Sequence, residues 1–178
     1  ALDVFQQDNL ELFTTIAYHV YWPGVDPFNA YNPGDPESRR GYYGVTGVPY
    51  FAVDGVNTGS WESTIISHGN TSAPLAISLA GNFDYGSRAG SCDITLDPEV
   101  GASGNYTLQV VLVQDGLYYN GSNGFPNHEN VMRDMFPSSS GTPITLEAGV
   151  QLVETVDIEV PQGLTLDDCR LVVFVQGG

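Results

Sequence analysis

The sequence predicts an α/β segment followed by an antiparallel β-sandwich. Two observations carry that reading. Ahead of "HGNTSAP", His68 to Pro74, helix and strand signals alternate. Beyond it, β-rich runs follow one another with turn residues between them and one long connection, the pattern of a sandwich. The 178 residues therefore divide into domains 1–72 and 73–178, without an internal repeat.

Taken in order, "LDVFQQDN" reads as the tail of a short amphipathic helix, with Leu2 and Phe5 three apart. "LFTTIAYHVYW", from Leu12 to Trp22, is a near-continuous apolar run and predicts a strand buried on both faces. "PGVDPFNAYNPGDP" is a long loop. Pro36 suits the first turn of a helix "PESRRGYY" with Asp35 as its cap. "PYFAVDGVNTG" predicts a strand and a tight turn at Asp54-Gly55. Ser60 then caps a helix "WESTIISHG" that Gly69 stops. The second half predicts strands at "LAISLAG", "SCDITLDPEV", "YTLQVVLVQDG", "VQLVETVDIEV" and "CRLVVFVQ". In the fourth of these the acids fall mostly on one face and the aliphatics on the other. One helical island, "HENVMRDMF", is predicted between the third and the fourth.

The charge excludes some functions. There are 21 acidic residues against five arginines and no lysine, a formal net of −16. Phosphate contacts come from Lys and Arg, so nucleic acid is excluded as a partner, and anionic membrane surfaces are disfavoured for the same reason. Such acidity suits a saline or extracellular setting, or cation binding. No apolar run approaches the roughly 20 residues that span a bilayer. The polar opening "ALDVFQQDN" predicts a mature or processed chain. Asn70, Asn105 and Asn120 head sequons, a weak signal in a chain of this composition.

The residues offer four candidate roles. Cys92 and Cys169 are the only cysteines, and each enters a predicted strand. The expectation is one structural disulfide within the second domain, adding roughly 3–5 kcal/mol and pointing to an oxidising compartment. Hydrolysis lacks a nucleophile elbow. His19, His68 and His128 are scattered, so His19 reads as a satisfied histidine and His128 as one that orients a loop. Asp26, Asn29, Asn32, Asp35 and Glu37 offer hard oxygen ligands that suit calcium, although Asx-rich turns arise for backbone reasons alone. Tyr21, Trp22, Tyr118, Tyr119 and Phe125 are candidates for an interaction surface, or for packing between the domains.

The stretch "GYYGVTGVPYFAVDG" places Val48-Pro49 at the entry to a strand, where a proline belongs at the first residue, an edge or a cis turn. Together with "IAYHVYWPGVDPFN", it resembles the thioredoxin-like half of the twenty-eight-kilodalton outer-membrane-protein family of Bacteroidota. "VLVQDGLYYNGSNGFPNHENVMRDMFP" resembles the β-sandwich portion of the same family. The resemblance implies a truncated thioredoxin-like domain followed by an immunoglobulin-like sandwich, with Val48 and Pro49 in a cis-proline loop. The family's Cys-x-x-Cys pair and first strand would precede Ala1, so the "LFTTIAYHV" strand would be completed either by another chain's strand or by a preceding segment of the precursor.

The expected function is thus a secreted or cell-surface structural protein, non-catalytic, that acts through protein contacts and assembles with itself into a filament. The first alternative is a thiol–disulfide redox protein whose cysteine pair lies N-terminal to this chain. The second is a calcium-dependent or carbohydrate-binding module.

Overall fold

The structure is a computed structural model that describes residues 5, 12–121 and 124–177. Its first half is a layer of short helices. Helix α1, Pro27–Tyr31, starts where Asp26 accepts from the amides of Phe28 and Asn29, a side-chain cap with proline at the first helical position. Helix α2, Gly34–Tyr42, follows after two residues. It starts ahead of Asp35, which therefore lies in the first turn and does not cap it. Strands β1, Ala52–Val53, and β2, Val56–Asn57, are joined at Asp54 and Gly55, both at positive φ, as a two-residue primed turn requires. Helix α3, Trp61–Gly69, begins after Ser60, whose side chain makes no capping bond. The helix tail expected over residues 2–9 lies, Phe5 apart, outside the described residues.

The run from Leu12 to Trp22 is not a sheet strand. It makes one isolated parallel bridge, Ala17 to Val131, through Ala17 N–H to Asn130 O at 2.8 Å and Met132 N–H to Ala17 O at 3.1 Å. Its apolarity has a different cause. Ile16 and Tyr18 pack on the outer face of a sheet built by the second half of the chain. Among the described residues the first half contains no strand pairing beyond that bridge and the β1–β2 hairpin, so the expected thioredoxin-like sheet is not present there.

The second half is a two-layer antiparallel sandwich. One sheet has the order β10 (Leu152–Glu159), β4 (Ala89–Pro98), β3 (Leu75–Asp84). In the other, β11 (Cys169–Gly177) pairs with β5 (Gly104–Gln114). The opposite edge of β5 pairs first with β9 (Thr142–Leu146) and then with β8 (Val131–Phe136). A small hairpin of β6 (Leu117–Tyr118) and β7 (Asn127–His128) precedes β8. The main core fills the space between the sheets. Ile94 and Leu96 from β4 face Leu108, Val110 and Leu112 from β5, and each fully buried aliphatic of this size contributes about 1.5–3 kcal/mol.

A second core lies on the outer face of the β5 sheet. Val111, Val113, Met132, Met135 and Val172 pack there with Ile16, Tyr18 and Phe174, while α1 and α2 cover β8. This cluster crosses the boundary expected at residue 72. It also explains why "VVLV" of β5, Val110 to Val113, reads as a continuous apolar run, because both faces of the strand are covered.

Two further expectations are corrected. "HENVMRDMF" is not a helix: it contributes β7 and β8, with a bulge where Met132 and Asp134 oppose the consecutive residues Val113 and Leu112. The cysteines are not bonded. Cys92 sits on β4 and Cys169 opens β11, so they belong to opposite sheets. Facing sheets stand about 10 Å apart, whereas a disulfide needs Cα atoms within about 7 Å.

Candidate interaction site

Along β3 the residues that point between the sheets are Leu75, Ile77, Leu79, Gly81 and Phe83. Leu75 and Ile77 pack against the main core. The burial then fades: Leu79 is 46 % exposed, Phe83 37 % and Tyr85, just past the strand, 67 %. The rings of Phe83 and Tyr85 meet edge to face at 5.5 Å. Glycines shape this end of the hairpin. A Cβ on Gly81 would lie 2.3 Å from Ser91 O, and one on Gly90 would lie 2.0 Å from Asn82 O, so the two backbones approach as only glycine permits. Neither position supplies a side chain to the interior. The result is a cavity of ≈ 320 Å³ lined by Gly81, Phe83, Cys92, Leu112, Cys169 and Leu171, with exposed Phe83 and Tyr85 at its rim.

Both thiols line this cavity. Burial pushes each of them above its ordinary pKa. The Asp93 carboxylate adds to the effect at Cys92, and the Arg88 guanidinium partly offsets it at Cys169. Thiols raised in this way are protonated and weakly nucleophilic at neutral pH.

The other candidate residues have local partners. Asp26 caps α1 with one oxygen and meets His19 Nδ1 at 2.7 Å with the other. Asn29 donates to His19 O, and Asn32 donates to Asp35 and to Arg133 O. Glu37 forms a fork with Arg40, which lowers the Glu37 pKa through the hydrogen bond. The side-chain oxygens of Asp26, Asn32, Asp35 and Glu37 thus accept from protein donors, and among the described residues no group of three or more His, Cys, Asp or Glu could hold a metal. His128 packs its ring against Phe28 at 4.9 Å and His19 at 5.4 Å, with Nε2 3.2 Å from Tyr119 O. His68 meets Asp54 at 2.7 Å and ties α3 to the β1–β2 turn.

Of the aromatic candidates, Tyr119 meets Phe28 edge to face and its hydroxyl donates to Val25 O, which joins the β6–β7 hairpin to the helical layer. Trp22 is half-buried, whereas Tyr21, Tyr118 and Phe125 are exposed. The Val48–Pro49 peptide bond is cis, in an exposed loop.

Sequence reasoning missed two features. The first is a pair of buried arginines without a carboxylate partner. Arg39, 2 % exposed, lies among the rings of Tyr18, Tyr42, Tyr43 and Phe174 and donates to Tyr43 Oη and Gln176 Oε1. Arg133, 6 % exposed, stacks over Tyr31 at 3.9 Å. The second is the β3 edge with its exposed apolar row. A signal for it was available: residues 75–83 carry no charge in a chain that is otherwise rich in acids. Comparison with models of protein families, with curated proteins and with solved structures finds no match for the chain.

Proposed function

We propose that this is a secreted or surface-displayed structural protein, non-catalytic, that works by binding further copies of itself. The observation that carries the reading is the exposed inner row at the open end of the sandwich. Leu79 is exposed along β3, and Phe83 and Tyr85 present apolar surface at the rim of a cavity, where a closed sandwich would bury them. Contiguous apolar surface of this kind marks protein contact sites. The acidity favours an aqueous, saline exterior. The sandwich itself is read as immunoglobulin-like, and the resemblance to outer-membrane-associated proteins points to the same location. Sedimentation over a wide range of concentration, with micrographs of the same samples, tests this. The expected result is concentration-dependent assembly. A strict monomer at every concentration overturns the reading.

A further inference from the structure

Four strand edges end the two sheets, and three of them are guarded. β10 carries Glu154, Asp157 and Glu159 along its length. The edge shared by β8 and β9 is bordered by the Ala17 bridge and interrupted by Pro143. β11 carries Arg170, and Tyr42 borders its far end by donating to Gly177 O. The fourth edge, β3, pairs among the described residues with β4 alone, and its one charge, Asp84, is its last residue. It is ten residues long, and Leu75 to Phe83 include no charge and no proline. A long, uncharged, half-apolar edge is a template for another strand.

The charge distribution indicates whose strand that is. A molecule of net charge −16 repels its own copy wherever acids face each other. Along β3 that repulsion is absent. Resting on the self-associating reading above, we propose that β3 is a homodimer seam. In it, β3 of a second copy adds antiparallel about a two-fold axis at Leu79, and two three-stranded sheets fuse into one of six. This register overlaps all nine uncharged residues with their counterparts. It sets Leu79 opposite its own copy and Phe83 opposite Leu75, so the inner apolar rows continue across the seam. Asp84, the first charge on the strand, falls opposite position 74 of the other copy. The two Asp84 carboxylates then stand roughly 34 Å apart at about 3.4 Å per residue, well beyond the ~8 Å screening length at physiological salt.

Two variants of the full chain test the seam. Leu79→Cys is expected to give a disulfide-linked dimer on mild oxidation, while the wild type, whose thiols face the cavity, gives none. Ser78→Lys with Ala80→Lys leaves the monomer fold intact, because both positions are exposed and position 80 lies opposite Asp93. In the seam the new lysines oppose each other, and the dimer is expected to dissociate at about tenfold lower affinity or worse. Thermal unfolding of each variant checks the fold. Self-association that persists in the lysine variant, with no crosslink at position 79, overturns the seam and leaves the self-associating reading standing. A wild type that never associates overturns both.

Discussion

Buried Arg39 and half-buried Tyr18 form a pair in which a cation and a phenol share one enclosure. The guanidinium carbon lies 6.0 Å from the Tyr18 ring, and the Tyr18 hydroxyl is buried with no hydrogen-bond partner. Burial pushes the Tyr18 pKa up to about 12, and Arg39 offsets only part of that. The sign follows from which form is charged. The unfolded chain deprotonates this tyrosine near its ordinary value of 10.0, while the folded chain holds the proton to about 12. The stabilisation is therefore complete below pH 10 and is lost as pH rises to 12, at a cost of about 3 kcal/mol. Urea unfolding at pH 9, 10 and 11 is expected to show stability falling over this window. Tyr18→Phe is expected to flatten the slope and to cost little at neutral pH, since the hydroxyl it removes is unpartnered. A slope unchanged in Tyr18→Phe would assign the titration elsewhere.

At the scale of the element, Asp26 joins two parts of the helical layer with one carboxylate. One oxygen fixes the start of α1 and the other binds His19 on the preceding extended run. Asp26→Ala is expected to lose both links and about 1–2 kcal/mol of stability. Asp26→Asn retains a capping oxygen and is expected to lose less than half of that, read from the shift in the urea midpoint. This cap was not read from the sequence, where the stretch reads as a long loop, because a five-residue helix is too short to show a helical period. The β8 segment was misread for a different reason. Val131, Met132, Met135 and Phe136 fall at helix-like spacing, which on a strand would alternate between faces. The bulge supplies the reason: with Arg133 inserted, Met132 and Met135 share one face beside Val113 and Val111. A bulge depends on the partner strand, and one segment read alone cannot reveal it. The run from Leu12 to Trp22 misleads for a related reason. Apolarity reports burial, and here burial comes from lying across a sheet instead of pairing within it.

For the whole molecule, the sandwich strands β3, β4, β5, β10 and β11 were legible because each alternates or runs apolar between turn residues. Which strands share a sheet was not, and the cysteines show the consequence. Both were placed correctly on strands, yet the strands belong to facing layers. The layers are thus held by packing, without a covalent staple. A reductant is expected to shift Tm by less than about 1 °C, where loss of a structural disulfide of this loop length would lower it by roughly 10 °C. Intact-mass analysis after alkylation is expected to find two free thiols. The arginines carry a further consequence. Arg39 and Arg133 are enclosed by aromatic rings, Arg40 is held by Glu37, Arg88 donates to the carbonyls of Val160, Pro161 and Leu164, and Arg170 meets Asp115 and Asn130. Each cation is committed to a local partner, so the remaining carboxylates look to dissolved counter-ions for neutralisation. Sodium in the surrounding water then acts as a missing component of the fold. Raising salt from about 0.01 M to about 1 M contracts the screening length from ~30 Å to ~3 Å. Over that interval Tm is expected to climb by several degrees, the opposite of what a protein stabilised by surface ion pairs would show.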